Sequence, residues 1–241
     1  MTTISTQTTV GELVAQRPAR SRVFEKLGID YCCGGRKPLA EVCEKKGLDP
    51  QTVLTMLEAI DAAGDGEEVD AANMGLAELC DHIVATHHAY LREELPRLDF
   101  MTHKVSSVHG DREPRLHELR DAFVAFQEEV TSHLMKEEQI LFPIIKQLEL
   151  GDAGAAGHCG SIANPIAQME HEHDNAGVGL ETMRRVTDDF TPPEWACNTF
   201  RALYDALAQL EPDMHRHIHK ENNVLFPRAQ ELEQQQTAAA G

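Results

Sequence analysis

Apolar residues recur at intervals of three and four along most of the chain, and the strand-like alternation of apolar and polar residues is scarce. This spacing is typical of amphipathic α-helices, in which residues three or four apart share one face. After residue 70 the pattern predicts four long helices, separated by segments rich in glycine or proline. Their predicted ranges are 74–108, 114–149, 162–188 and 193–231. Four helices of this length predict an all-α, up-down four-helix bundle.

The helical patterns before residue 60 are shorter and carry recognisable start signals. Thr9-Val-Gly-Glu12 matches a capping box, and Asp49-Pro50 joins a cap to a proline that suits the first helical turn. An acidic, glycine-bearing stretch without periodicity follows at 61–70, which is typical of a linker. We therefore predict three parts: a small helical N-terminal domain at 1–64, a linker at 65–73 and the bundle at 74–232.

Composition and charge narrow the classes of partner. The 241 residues are 41% hydrophobic, which is enough to supply a core, and carry a formal net charge of -18. Such a charge repels nucleic acid and anionic lipid, so we expect neither as a partner. The chain has no stretch of about 18 apolar residues and no signal-peptide pattern at its start, and we expect a cytoplasmic protein.

Two segments 84 residues apart share a His-x-x-x-Glu core and a Leu-Phe-Pro tail. His133–Pro143 is HLMKEEQILFP, and His217–Pro227 is HIHKENNVLFP. A His and a Glu four apart share one helix face, and in both segments that face borders the apolar stripe. A buried carboxylate is costly unless it is paired or bound to a metal. The repeat therefore predicts metal ions inside the bundle.

Histidines on the other two helices extend this candidate site. His173 lies near the centre of the third helix's apolar stripe, whereas His171 lies on the opposite side and is expected to face water. On the first helix, periodicity favours His87 over His88, but His88 precedes His173 by 85 residues, close to the offset of the repeat. Both alternatives stay open on the residue pattern. Four His and two Glu on four helices predict a dinuclear metal site.

These motifs, together with Asp30-Tyr31-Cys32-Cys33-Gly34-Gly35 and Glu172-His173-Asp174, resemble the repair of iron centres family over essentially the whole chain. Members are di-iron proteins with a hemerythrin-like domain and a small cysteine-bearing N-terminal domain, and they include nitric-oxide-dependent regulators of denitrifying bacteria. The resemblance implies two irons per chain with an oxo or hydroxo bridge. The implied terminal ligands are His88, His133, His173 and His217, and the implied bridges are Glu137 and Glu221.

The resemblance also bears on the open choice and on the activity. The family ligand lies four residues before an Arg-Glu-x-Leu-Pro stretch, found here at Arg92–Pro96, which favours His88. Oxygen-carrying hemerythrins use five His, one Glu and one Asp, so this ligand set argues against simple oxygen carriage. Imidazole and carboxylate ligands without thiolate suit iron or manganese better than zinc.

Three activities follow from the resemblance. The first is repair of damaged iron-sulfur clusters under nitrosative or oxidative stress, with iron-sulfur proteins as clients. The second is scavenging of nitric oxide, or its reduction to nitrous oxide, and the third is sensing or binding of nitric oxide or oxygen without turnover. Peroxide also stays open as the ligand, and both monomer and homodimer stay open as the assembly. A repair or ligand-binding role is favoured over a turnover enzyme.

The six cysteines form no CxxC pair and do not indicate a disulfide framework. Cys32 and Cys33 adjoin two glycines, which allows two interpretations: reactive thiols for a nitrosyl, a metal or a client, or a tight turn with incidental thiols. Cys43, Cys80 and Cys197 lie within helical patterns and are predicted in the core, whereas Cys159 is predicted to be exposed. Pro96 predicts a kink or short break in the first bundle helix.

Overall fold

Helices make up the regular structure of the chain, with one isolated bridge between Thr9 and Pro38 as the exception among the described residues. The computed structural model describes residues 4–63, 71–151 and 159–240. The prediction of an all-α protein with a hemerythrin-like bundle and a small helical N-terminal domain is confirmed. The predicted linker lies mostly outside the described residues; its last part forms a 3-10 turn at Ala71–Asn73.

The N-terminal helices begin and end where local chemistry dictates. Thr9 accepts a hydrogen bond from the Glu12 amide, and the Glu12 carboxylate accepts one from the Thr9 amide, as the capping box predicts. Asp49 accepts from the Thr52 amide at the start of the fourth helix. Gly47, with a φ of 66°, ends the third helix in the left-handed conformation. The four helices are α1 (Val10–Gln16), α2 (Ser21–Leu27), α3 (Leu39–Lys46) and α4 (Pro50–Ala63).

Three of the four long bundle helices contain a widened turn of π-helix. The first is α5 (Leu76–Ile83), π1 (Val84–His88) and α6 (Ala89–His109). The second is α7 (Arg115–Lys136), π2 (Glu137–Leu141) and α8 (Phe142–Glu149). The third helix is α9 (Ala163–Val186), and the fourth is α10 (Asn198–Lys220), π3 (Glu221–Leu225) and α11 (Phe226–Ala240).

The predicted ranges of the first three bundle helices hold within a few residues, whereas the fourth runs to Ala240 instead of ending at residue 231. The short break that Pro96 allowed is absent, because α6 continues through Pro96 as α-helix, and the widened turn of this helix lies earlier, at π1. The alternative of a kink at Pro96 stays a prediction. The fourth helix begins at Asn198, five residues later than predicted, because Cys197 is its extended cap and 192–197 form a non-helical connection.

Apolar side chains fill the bundle on both sides of the widened turns. One cluster packs α6, α7, α9 and α10 together and includes Leu98, Phe123 and Leu207. The other packs α5, α8 and α11 and includes Ile83 and Ile145. Each fully buried leucine, isoleucine or phenylalanine stabilises the fold by about 1.5–3 kcal/mol. Between the two clusters lies the polar layer that carries the predicted ligands.

The N-terminal domain packs on the fourth bundle helix near π3. Tyr31 is almost fully buried, with its ring 6.2 Å from His215 and 5.5 Å from His219 between centroids. Glu25 of α2 accepts a hydrogen bond from His215 at 3.0 Å. In the parts of the chain described here, no helix is long and apolar enough to cross a membrane.

All six cysteines are free, as expected. Cys43 and Cys80 are buried, which confirms their predicted place in the core. The prediction for Cys197 is wrong: it is exposed, because it caps α10 from outside the helix. Cys159 is half-buried.

Candidate metal centre

Six predicted ligands meet in the polar layer between the two apolar clusters of the bundle. They form two overlapping groups, and within each group one ligand atom per residue lies within 4.8 Å of the others. One group is His88, Glu137, His217 and Glu221, and the other is His133, Glu137, His173 and Glu221. All six side chains are buried. Both carboxylates therefore belong to both groups.

The carboxylate of Glu137 points between the two groups. Its Oε1 lies 3.2 Å from His133 Nε2, and its Oε2 lies 3.3 Å from His88 Nε2. Glu137 is fully buried, and neither oxygen has a hydrogen-bond partner among the described residues. A buried carboxylate without such a partner is strongly destabilising unless a cation compensates it. The two oxygens are thus suited to binding one metal ion each.

Glu221 takes the equivalent place in the second repeat. Its Oε2 lies 3.0 Å from His173 Nε2, and its Oε1 lies 3.1 Å from His217 Nε2. Glu221 is fully buried, and its Oε2 has no hydrogen-bond partner among the described residues. Like Glu137, this carboxylate therefore needs a cation to compensate its buried charge.

Three of the four imidazoles are oriented by an acceptor behind the ring. Each acceptor meets the Nδ1 atom, which makes Nδ1 the donor and leaves the Nε2 lone pair free toward the carboxylates. The pairs are His88 with Glu138 at 2.6 Å, His133 with Glu172 at 3.0 Å and His173 with Asn222 at 2.8 Å. This is the tautomer that a metal-binding histidine requires.

These three acceptors were not among the residues predicted from the sequence, although the repeat carries a signal for two of them. Glu138 and Asn222 directly follow Glu137 and Glu221, and each holds a histidine of a neighbouring helix. A polar residue after each repeated glutamate was the available signal. Glu172 precedes His173; although partial burial raises its pKa, a hydrogen bond from Lys136 helps lower that pKa to about 2.

The fourth imidazole, of His217, has a different environment. Its Nδ1 is buried without a hydrogen-bond partner among the described residues. The ring of His87 stacks on it at 5.3 Å between centroids, with 9° between the planes. His87 Nδ1 lies 3.0 Å from Asp213, and burial lowers the pKa of His87 to about 4. The structure thus brings His88 into the group of predicted ligands and leaves His87 behind it.

A cavity of about 430 Å³ lies beside the His133 and His173 pair, between α7 and α9. Lys136 and Glu172 line it together with the exposed His171, which faces water as predicted. Such a volume admits small molecules to the outer side of two predicted ligands.

Most of the remaining histidines are exposed or half-buried, and two belong to the contact between domains. His219 is buried against Tyr31, and burial lowers its pKa to about 4. His215 pairs with Glu25. The exposed or half-buried ones are His82, His103, His109 and His117, while His158 lies outside the described residues.

The adjacent cysteines lie in a turn that Asp30 organises. Its carboxylate accepts hydrogen bonds from the amides of Cys32, Cys33 and Gly34 at 2.8–3.1 Å. The two sulfur atoms are 3.9 Å apart, and Cys32 is buried whereas Cys33 is half-buried. A hydrogen bond with Cys33, together with burial, raises the pKa of the Cys32 thiol well above its usual range. In this turn Cys32 is held as the neutral thiol.

Comparison with known proteins matches both parts of the chain. Residues 6–61 match the ScdA_N family, described as a domain of unknown function, and residues 79–229 match the hemerythrin HHE cation binding domain. The iron-sulfur cluster repair protein YtfE of Pectobacterium atrosepticum is 40% identical over 220 residues, covering 91% of this chain and 95% of that protein. The YtfE protein of Escherichia coli O157:H7 is 41% identical with the same coverage.

Both domain matches fall in the order that the sequence predicted, an N-terminal module followed by the bundle. The identity extends over 91% of the chain and so includes both of them. The chain therefore belongs to the repair of iron centres family.

Proposed function

We propose that this protein supports the repair of damaged iron-sulfur clusters and binds two iron ions in the centre described above. The name of the similar YtfE proteins supports the first part. One observation carries the second: two buried carboxylates are shared between two groups of ligands, with one oxygen directed to each group. Each metal would have two imidazoles and two carboxylate oxygens.

The donor set fits iron. Imidazole and carboxylate without thiolate suit iron or manganese, and the unpartnered oxygens of Glu137 supply the negative charge that a cation pair needs. The proposed terminal ligands are His88, His133, His173 and His217, and the proposed bridges are Glu137 and Glu221. When bound, the iron pair supplies a redox-active centre that can take a small exogenous ligand. The apolar clusters on both sides keep bulk water away from it.

Nitric oxide binding is the second function that we propose, because a cavity large enough for a small molecule lies directly against His133 and His173, two of the proposed ligands. Reduced, iron-loaded protein should form a nitrosyl when nitric oxide is added without oxygen, and the optical spectrum would show it. Stoichiometric nitrosyl formation supports scavenging, whereas repeated formation of nitrous oxide supports a reductase. A spectrum that nitric oxide leaves unchanged would contradict this second function.

The di-iron site is tested by iron content. Glu137→Gln and Glu221→Gln each replace a shared anion by a neutral amide, so we expect each variant to retain fewer than two irons per chain. Glu181→Gln, on the exposed face of α9, is the matched control and should retain both irons. Elemental analysis of the purified proteins measures this. Two irons in either bridge variant would rule out the site.

Repair is tested with a client protein whose iron-sulfur cluster has been destroyed by nitric oxide. The wild-type protein loaded with iron should restore the client's cluster absorbance and activity faster than free ferrous iron does. The Glu137→Gln and Glu181→Gln proteins serve as the inactive and active controls. Equal restoration by free iron and by the loaded protein would contradict a role in repair.

A further inference from the structure

The internal repeat relates the two halves of the candidate site, and the residues behind the predicted histidine ligands differ at two positions. At the first, Glu138 stands behind His88 where Asn222 stands behind His173, so both of these imidazoles keep an acceptor. The second difference removes an acceptor. The offset that carries His133 to His217 also carries Lys136 to Lys220. The offset of the other two helices carries His88 to His173 and therefore His87 to Glu172. A carboxylate thus stands in one half where an imidazole stands in the other.

In the half of the site that contains Glu172, hydrogen bonds connect Lys136 through Glu172 to the predicted ligand His133. Lys136 Nζ lies 2.5 Å from Glu172 Oε1, and Glu172 Oε2 lies 3.0 Å from His133 Nδ1. An ionised acceptor behind a ligand histidine fixes its tautomer and makes its Nε2 a stronger donor to a metal. His133 has this support.

The equivalent chain in the other half is broken. Lys220 Nζ donates to His87 Nε2 at 2.8 Å, but His87 stacks on His217 instead of accepting its Nδ1 proton. His87 Nδ1 faces Asp213, so both ring nitrogens are engaged elsewhere. His217 is the one predicted histidine ligand whose Nδ1 has no partner in the described part of the chain. Lys220 thus contacts the imidazole of His87 where Lys136 contacts the carboxylate of Glu172.

We propose that the two metal positions are unequal, and that the one formed by His88 and His217 holds its ion more weakly because His87 replaces a carboxylate. This rests on the proposed dinuclear site. His87 is a positioning residue that holds the His217 ring in place without strengthening it as a donor. One ion can then leave while the other keeps the bundle assembled, so the weaker position is the source of any iron given to a client.

The test follows the release of iron. Apo-protein is loaded anaerobically with two equivalents of ferrous iron, and a ferrous-specific chelator is added in excess. Removing such support behind a ligand histidine typically costs 10–100-fold in metal affinity, so we expect two equal phases whose rates differ by at least about tenfold. The absorbance of the chelate measures both phases.

Variants identify the cause of each phase. His87→Gln places an amide oxygen behind His217, as Asn222 stands behind His173, and should slow the fast phase alone. Glu172→Ala should accelerate the slow phase alone. His82→Gln is the matched control, because it removes the other imidazole that Lys220 contacts, and it should change neither phase. Circular dichroism and thermal melting establish that each variant is folded.

The number of release phases and the iron content of the variants distinguish unequal metal positions from equal ones. A slow phase that Glu172→Ala leaves unchanged, or a single phase in the wild-type protein that His87→Gln also leaves unchanged, would overturn the inequality. One iron in the wild-type protein and two in His87→Gln would support it in its strongest form. Failure of both proteins to bind any iron would contradict the proposed dinuclear site itself, and the inequality with it.

Discussion

At the scale of single residues, the repeat identified the predicted ligands because chemistry and periodicity agreed there. A histidine and a glutamate four apart, both bordering an apolar stripe, leave few interpretations besides a buried site. The acceptors behind the imidazoles lie off that stripe, where charged residues are ordinary. Glu138 is half-buried, so its position in the pattern resembles that of a surface residue.

Removal of the acceptors behind the imidazoles should weaken iron binding. Glu138→Ala and Asn222→Ala each remove the partner of a histidine Nδ1 and leave all six predicted ligands in place. We expect each to lower iron affinity by about 10–100-fold. Titration of apo-protein with ferrous iron against a competing chelator measures the change.

The matched control is the next residue in the first repeat. Gln139 is exposed, and Gln139→Ala should bind iron as the wild-type protein does. If the Glu138 and Asn222 variants bind iron with unchanged affinity, the imidazoles are oriented by packing alone.

At the scale of elements, the periodicity predicted where helices lie but not where they widen. The amide of Phe142 donates to the carbonyl of Glu137, five residues back, and Phe226 donates to Glu221 in the same way. A π-turn adds one residue to a helical turn, which a pattern of threes and fours absorbs without a visible break. The sequence does contain one cause of the wide turns π2 and π3, since a proline directly follows Phe142 and Phe226 in the tail of each repeat.

Proline alone does not widen a helix in this protein. Pro96 and Pro212 both lie within regular α-helix. In π2 and π3 the proline adds to a glutamate directed into the polar layer, so we interpret the wide turn as the joint result of a missing amide and a buried carboxylate. The sequence shows the first of these causes directly, but the second requires knowing which way the side chain points.

Pro143, which follows a widened turn, and Pro96, which lies in regular α-helix, should differ in their effect on iron binding. Pro143→Ala restores an amide that can bond the carbonyl four residues back, which favours regular α-helix over π2. In a helix interior such a change stabilises by up to about 3 kcal/mol. We expect a more stable apo-protein in urea unfolding but lower iron content, because the turn that directs Glu137 inward is lost.

Pro96→Ala is the control for this prediction. It offers the same gain of an amide in a helix that is already regular, so stability should rise and iron content should stay the same. Lower iron content in both variants, or in neither, would show that the widened turn does not govern the direction of Glu137.

At the scale of the whole molecule, the two repeats differ in what covers them. Asn223 of π3 donates from its side-chain amide to the carbonyls of Tyr31 and Cys32, at 3.3 and 3.0 Å. The corresponding Gln139 of π2 is exposed. No residue pattern predicted this contact, because a side chain meeting backbone carbonyls of a distant turn leaves no periodic signal.

Gly11 and Gly35 lie so close to the Asn223 side chain that neither position has room for a residue larger than glycine. A Cβ added to Gly35 would lie 2.2 Å from Asn223 Oδ1, and one added to Gly11 would lie 2.4 Å from it. The two glycines are themselves joined by a backbone hydrogen bond of 2.8 Å. Asn223 therefore holds the turn that contains Cys32 against the helix that contains Glu221. This contact couples the position of the N-terminal domain to that of a predicted ligand.

Asn223→Asp should weaken this contact between the N-terminal domain and the bundle without changing the shape of the side chain. It removes the hydrogen bonds that the amide donates to Tyr31, Cys32 and His219, and it turns an anion toward two carbonyls. Since each bond contributes about 0.5–1.5 kcal/mol, we expect hydrogen exchange in residues 27–36 to rise at least about fivefold. Gly35→Ala should have the same effect by collision, and Gln139→Asp should have none. Exchange followed by mass spectrometry measures all three. Wild-type protection in both Asn223→Asp and Gly35→Ala would mean that Tyr31 and the Glu25–His215 pair hold the N-terminal domain by themselves.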